Sequence, residues 1–231
     1  MIKLLFTLLI SGHLFAGTPI EKMVPVDDVF VPNGFDDNDS TEVIISGFLP
    51  NLCHKSPKSV VKKKENKIEI EVTSLHYHES NPFCPEVIVP FTLSVDLGIL
   101  KAKLHNLKIN SNSQWEKKTQ ISISHSSTQN IDEFMYANAS HVELVKGTRK
   151  VLIKGYNPSD CLELDRIEYQ HNKKNVFSVL PIMKQVREFC PKKLIPFTYE
   201  WEVPESLEVS RLLLHVRTMQ GRSVNQLIVL E

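Results

Sequence analysis

Short apolar runs separated by polar turns dominate the chain, and helical periodicity is weak throughout. Residues 43–48, 68–72 and 87–95 are rich in β-branched side chains, alternate in polarity or form short apolar runs, and are bounded by Gly, Pro or Asn. Such runs predict β-strands. The lysine-rich run at 62–67 lies between apolar residues and carries no interleaved aromatic, so it indicates a hairpin tip and not a nucleic-acid site.

The chain also repeats itself. Residues 43–53, VIISGFLPNLC, return at 151–161 as VLIKGYNPSDC. Further on, FCP and VPFT of the first copy return as FCP and IPFT in the second. Shorter echoes link 26–30 to 131–135 and 107–109 to 214–216.

A repeat of this kind predicts two copies of one module, since about 100 residues is a common domain size. We expect the first β-sandwich repeat at 26–112 and the second at 131–231, joined by a linker at 113–130. Small polar residues at 122–130 favour an exposed connector. Ile121 and Ile123 alternate with serines, so part of the linker could be ordered.

Each copy holds two cysteines at matching positions: Cys53 and Cys84, then Cys161 and Cys190. Of the three possible pairings, the repeat favours one disulfide within each copy. A four-cysteine zinc site would need closely spaced pairs, which the sequence lacks. Neither cysteine pair encloses a tryptophan, so we expect the bridges to tie loops at one end of each module.

About seven short strands per copy predict an all-β fold of two tandem immunoglobulin-like β-sandwich domains, each with one intradomain disulfide. Residues 1–16 have a basic residue, a short apolar core and a small residue at the end, which predicts a signal peptide. No later apolar stretch is long enough for a transmembrane anchor. The protein is therefore expected to be exported, either periplasmic or secreted.

Both copies carry the pattern G-[FY]-x-P-x-x-C, followed by C-P-x-x-x-[VI]-P-F-T. This pattern resembles a module of exported bacterial proteins whose activity is uncharacterised. The resemblance implies a β-sandwich fold and an exported location. It implies no catalytic residue, cofactor or named partner, because the shared residues are of turn, bridge and core types.

Few residues suggest chemistry. Nucleophile-elbow, zinc-protease, phosphate-loop and dinucleotide motifs are all missing, so no catalytic residue and no cofactor is predicted. Residues Asp36, Asp37, Asn38 and Asp39 could offer oxygen ligands to calcium, although a solvated turn is the simpler interpretation. His76 and His78 would share one face of a strand and could bind zinc or copper, but they lack a third ligand. Exposed strand histidines are therefore the simpler interpretation.

The net charge indicates no class of partner, because 27 basic residues balance 27 acidic ones. The second copy holds Arg187, Arg211, Arg217 and Arg222, so we expect any anionic contact there. Recurring aromatics such as Phe91 and Phe197 indicate packing and not a sugar-stacking platform.

The leading hypothesis is a non-catalytic binding or structural protein of the cell envelope. It would contact a protein or envelope component, but no nucleic acid, through loops or strand edges. One alternative is an envelope hydrolase with a site between the repeats, marked by Ser, His and acidic residues from 112–145. Another is a calcium- or zinc-linked structural module.

Overall fold

The structure, a computed structural model, describes residues 18–77, 83–204 and 211–229. Within these ranges it contains fifteen β-strands, and none of the described residues forms a helix that could cross a membrane. The predicted signal peptide at 1–16 lies outside the described residues. The first eight strands are β1 (Ile20–Met23), β2 (Val26–Phe30), β3 (Thr41–Leu49), β4 (His54–Lys64), β5 (Lys67–His76), β6 (Val89–Gly98), β7 (Leu104–Ile109) and β8 (Lys117–Ser122). The other seven are β9 (Ala139–Leu144), β10 (Lys150–Asn157), β11 (Leu162–His171), β12 (Val176–Gln185), β13 (Ile195–Glu202), β14 (Arg211–Thr218) and β15 (Arg222–Val229).

The first module, β1 to β8, contains two sheets. In the β5 sheet, β4 pairs with one edge of β5, while β1 and β7 share the other edge and β8 follows β7. The β3 sheet has the order β2-β3-β6. The turn between β4 and β5 falls at residues 65–66, which confirms the predicted hairpin tip.

The second module, β9 to β15, repeats the topology of strands β2 to β8. Its β12 sheet has the order β11-β12-β14-β15, and its β10 sheet has the order β13-β10-β9. Each module contains one parallel pair, β5 with β7 and β12 with β14. An antiparallel bridge from Tyr136 to Ile182 takes the place that β1 has in the first module. The predicted all-β fold of two β-sandwich modules is confirmed.

Alternation along the strands builds a core inside each module. In β5, Ile68, Ile70 and Val72 are buried, whereas Lys67 and Glu69 are exposed. Inward-facing residues of both sheets join in one apolar cluster per module. This pattern is typical of a sandwich whose sheets each present one face to the core.

A glycine at the same place in each module explains why the repeat preserves it. A Cβ on Gly47 would lie 2.1 Å from the carbonyl oxygen of Pro25 and 2.8 Å from Cζ of Phe91. Gly155 meets Asn138 and Phe197 at the same two distances. In both modules a β-bulge beside the glycine brings the neighbouring backbone this close. Only a residue without a side chain fits there.

The predicted equivalence of residues 26–30 and 131–135 is wrong. Strand pairing makes β2 equivalent to β9, because Val26 lies opposite Gly47 as Ala139 lies opposite Gly155. Residues 131–135 are a loop, in which Asp132 accepts the backbone N–H groups of Gln220 and Gly221.

The disulfides join Cys53 to Cys84 and Cys161 to Cys190, which confirms the pairing expected from the repeat. All four cysteines lie outside strands, at one end of each module. The linker is shorter than expected, because β8 lies within 113–130 and pairs with β7 along its whole length. Ile121 and Ile123 are buried in the first core.

The two modules stack face to face. Phe30 and Ile44 on the outer face of the β3 sheet form one buried cluster with Val176 and Leu213 on the outer face of the β12 sheet. As a result, the central strands β3 and β14 are covered on both faces. The chain is therefore a stack of four sheets, in the order β5, β3, β12, β10.

Candidate functional site

The acidic loop, residues 36–39, lies at the junction of the two modules and is not a solvated turn. Asp36 and Asp39 are buried. Asp36 Oδ1 accepts the N–H of Asn38 at 2.8 Å, and Asp39 Oδ2 accepts the N–H of Asp36 at 3.0 Å. Burial raises the pKa of Asp36, against the lowering effect of the Asn38 N–H. These carboxylates thus hold the loop and the module junction together.

Arg217 of the second module is the partner of this loop. Its guanidinium donates to Asp39 Oδ1 at 2.5 Å and lies 3.7 Å from a carboxylate oxygen of Asp132. The Phe35 and Tyr136 rings lie beneath it, with centroids 5.8 and 5.7 Å away. Although burial disfavours its charge, the hydrogen bond and charge of Asp39 hold the pKa of Arg217 above its ordinary value. The expected anionic contact of Arg217 is thus made within the chain.

Glu42 and His215 form a second polar contact between the modules. Glu42 accepts hydrogen bonds from Ser94, Ser223 and Asn225, the last at 2.8 Å. Because the Asn225 amide nitrogen donates to Glu42, its oxygen accepts from Nδ1–H of His215 at 2.9 Å. The buried Nε2 of His215 has no hydrogen-bond partner in the described structure, which suits a neutral ring.

Burial lowers the pKa of His215, since a second ring proton would lack an acceptor. The pKa of Glu42 is also lowered: burial opposes this, but the hydrogen bonds donated by Ser223, Ser94 and Asn225 outweigh it. These groups come from two facing sheets: Glu42 and Ser94 belong to the β3 sheet, and His215, Ser223 and Asn225 belong to the β12 sheet. We name the buried polar groups at the junction, which centre on Asp39 with Arg217 and on Glu42 with His215, the polar seam. Their hydrogen bonds fix how the two modules are aligned.

His76 is buried, contrary to the expectation of exposed strand histidines. Its ring lies 4.5 Å, centroid to centroid, from His54 on the neighbouring strand. Nδ1 of His54 lies 2.7 Å from the Ser74 hydroxyl. Burial, the adjacent imidazole and Lys22 lower the pKa of His54. His78 lies outside the described residues.

The hydrolase alternative required Ser, His and acidic groups from 112–145. The structure does bring His125 Nδ1 within 3.3 Å of Asp37 Oδ2. Ser126, however, bonds the other oxygen of Asp37 through its N–H at 2.8 Å. In the described structure no serine hydroxyl hydrogen-bonds His125, so a nucleophile–base pair is not formed there.

The predicted metal sites are not assembled in the described part of the chain. No group of three or more His, Cys, Asp and Glu residues is placed there to hold a metal ion. The second-module arginines also differ in role: Arg211 forms an ion pair with Asp28 at 3.2 Å, and Arg187 lies 3.9 Å from Asp160.

Sequence reasoning missed a repeated exposed surface beside the disulfides. Phe83 and Phe189 occupy equivalent positions and are 76% and 80% exposed. Ile88 and Leu194, also equivalent, are exposed as well. We name residues 83–88 and 189–194 the apolar loops. The sequence shows that these residues recur in both copies. Their exposure was missed because repeated apolar residues were assumed to pack in the core.

The disulfides anchor both apolar loops to the sandwich. Besides the bridges, the Leu52 N–H donates to the carbonyl of Pro85 at 3.1 Å, and the Lys193 N–H donates to that of Pro158 at 3.0 Å. A disulfide and a backbone hydrogen bond therefore tie the first loop to the turn between β3 and β4, and the second loop to the turn between β10 and β11. Such an anchored loop presents its apolar side chains at low conformational cost.

A family model described as the ORF11 β-sandwich domain matches residues 43–132. The matched span begins within β3 and extends past β8, so it covers most of the first module. Comparison with curated proteins and with solved structures gives no match. The similarity therefore concerns the β-sandwich fold of the first module, and the internal repeat extends that fold to the second.

Proposed function

We propose that this chain is an exported, non-catalytic binding protein whose two β-sandwich modules hold the apolar loops as contact sites for a protein or another envelope component. The observation that carries the proposal is the pair of exposed phenylalanines at equivalent positions, Phe83 and Phe189. Exposed apolar groups that recur in both copies serve no core, and contact with a partner is the usual reason for such exposure.

The two disulfides support the exported location, because disulfides persist in oxidising compartments and are rare in the cytosol. The signal-peptide pattern at 1–16 agrees with this. The polar seam supports a binding role over catalysis, since the carboxylates of Asp39 and Glu42 accept hydrogen bonds from Arg217 and Asn225 and thereby join the two modules.

The test compares partner capture by the mature chain and by F83S, F189S and the double variant. Proteins or glycans of the native envelope would be photo-cross-linked to each variant and quantified by mass spectrometry. Ile99→Ser is the matched control, because Ile99 is an exposed apolar residue outside the apolar loops. We expect the double variant to lose the captured partner and the control to retain it.

All four variants should unfold within about 0.5 kcal/mol of the parent, because the altered side chains are exposed. Capture that is equal in the parent and the double variant would overturn the proposal. So would a loss of capture in I99S of the same size. A protein that hydrolyses an envelope polymer with the phenylalanines removed would instead establish an enzyme.

A further inference from the structure

The solvent-facing side of the β5 sheet carries three lysines in two adjacent cross-strand rows. Lys67, Lys108 and Lys118 come from β5, β7 and β8, and Lys174 reaches the same cleft from the β11–β12 turn. The cleft has a volume of about 880 Å³. One carboxylate, Glu69, lines it among the described residues. We name this surface the lysine cleft.

Two of these lysines lie directly opposite each other. Lys108 pairs with Lys118 across the antiparallel β7–β8 ladder. Like charges in that position destabilise a sheet. Glu116 relieves part of this repulsion, with its carboxylate 2.7 Å from Lys118 Nζ, but it also accepts the N–H of Asn112. Glu69 lies opposite Lys108 across the parallel β5–β7 ladder. The four lysines of the cleft still outnumber these two carboxylates, so an added anionic group is favoured.

The second module shows what the equivalent pair of positions can hold. By strand pairing, Lys108 and Lys118 correspond to His215 and Asn225. In the second module a carboxylate, that of Glu42, lies over this pair, 3.4 Å from His215 and 2.8 Å from Asn225. The same place on the first module, with two lysines, is open to solvent.

The surroundings differ in a way that identifies the class of ligand. Around Glu42 the β12 sheet offers apolar side chains to the facing module, and the first module has polar ones at the same positions. The exchanged pairs are Val176 for Lys67, Leu213 for Asn106, and Leu227 for Gln120. On the first module a protein surface would therefore have no apolar side chains to pack against. Sugar hydroxyls, in contrast, could hydrogen-bond to the amide side chains of Asn106 and Gln120.

We propose that the lysine cleft binds an acidic oligosaccharide. Its carboxylate groups would lie over Lys108 and Lys118, and its hydroxyls would hydrogen-bond to Asn106 and Gln120. None of the described lining residues is aromatic, so the base stacking that supports binding of single-stranded nucleic acid is not offered. This site is separate from the apolar loops, and either could be lost without the other.

The experiment titrates the mature protein with hexagalacturonate by calorimetry, at about 20 mM and about 150 mM salt. Neutral maltohexaose and hexaglutamate are the comparison ligands. The variant is K108Q/K118Q. The matched control, K150Q/K154Q, removes two lysines from the outer face of the β10 sheet, where they pair with Glu200 and Glu143.

We expect hexagalacturonate to bind, with an affinity that falls as salt rises, and K108Q/K118Q to weaken it about tenfold while the control does not. Without ligand, K108Q/K118Q should unfold at the same denaturant concentration or a higher one, because charge repulsion is removed. No binding at roughly 1 mM ligand, equal weakening in both double variants, or equally tight binding of hexaglutamate or maltohexaose would each overturn the proposal.

Discussion

Replacing Arg217 with methionine should break the ion pair that joins the modules. Arg217 and Asp39 side chains are 8% and 4% exposed, and their closest atoms are 2.5 Å apart. Removing one partner of a buried pair typically costs about 3–5 kcal/mol, because the other charge stays buried without compensation. Asp39 keeps one backbone N–H donor, at 3.0 Å. We therefore expect a loss near the lower end, about 3 kcal/mol.

Urea unfolding at neutral pH measures this loss. With a slope of about 2–3 kcal/mol per molar, the R217M midpoint should fall by about 1–1.5 M. Arg211→Met is the control, because Arg211 pairs with Asp28 at 3.2 Å where both side chains are 38% and 46% exposed. An exposed pair contributes at most about 1 kcal/mol, so the R211M midpoint should move by less than about 0.5 M.

A double variant separates the charge from the packing. In D39N/R217M the most deeply buried of the unpaired charges, that of Asp39, is removed, so the protein should be more stable than R217M alone by about 1–2 kcal/mol. The reasoning is refuted if R217M and R211M shift the midpoint equally. It is also refuted if the Asp39 substitution adds its full cost to that of R217M, because the two side chains would then act independently.

Three further predictions follow from the fold. Gly47→Ala should lower the free energy of unfolding by about 2–3 kcal/mol, because its Cβ needs space held by backbone; urea unfolding measures it, and an unchanged midpoint contradicts it. Replacing Cys161 and Cys190 by serine should cost about 3.5 kcal/mol for a bridge with a sequence separation of 29 residues, and a loss below about 1 kcal/mol would show another source of loop order. The pKa of His215 is lowered in the folded protein, so below the ordinary value of 6.5 the unfolded chain binds a proton that the folded protein does not. The free energy of unfolding should therefore decrease as the pH is lowered, by at most about 1.4 kcal/mol per pH unit. His215→Asn should flatten that slope between about pH 6.5 and 5, and an unchanged slope would place the titration elsewhere.

Strand periodicity and the repeat sufficed to predict the modules and their disulfides. Each cysteine follows or precedes a proline at matched positions in both copies, so pairing within a copy needed no long-range information. The boundaries were less accessible. β8 carries mostly polar side chains because one of its faces is exposed, and its composition therefore resembles a linker.

The stacking of the modules left a weaker signal. Strand β14 reads Leu212-Leu213-Leu214 without alternation, which is typical of a strand buried on both faces, whereas its counterpart β7 alternates. That contrast could have marked the interface. The partner of Asp39 lies 178 residues away, and no local pattern connects the two.

The contact between His54 and His76 depends on a bulge. Counting back from the β4–β5 turn places Lys55 opposite His76, because the ladder begins with Lys64 opposite Lys67. A register shift between Lys55 and Lys58, where Ser56 has a φ of 51°, brings His54 there instead. A one-residue shift of this kind exchanges the faces of a strand, and sequence alone rarely reveals it.

The two outermost sheets of the stack, the β5 and β10 sheets, differ in how the charges on their outer faces are balanced. Stacked repeats remain soluble only when the terminal units carry a polar outer face. The β10 sheet meets this need with exposed ion pairs, such as Lys154 with Glu143. The β5 sheet presents the lysine cleft, where four lysines have two neighbouring carboxylates, those of Glu69 and Glu116. Solubility requires a polar outer face but no particular sign of charge. A polar outer face therefore does not explain why lysines are in excess on the β5 sheet, whereas binding of an anionic ligand does.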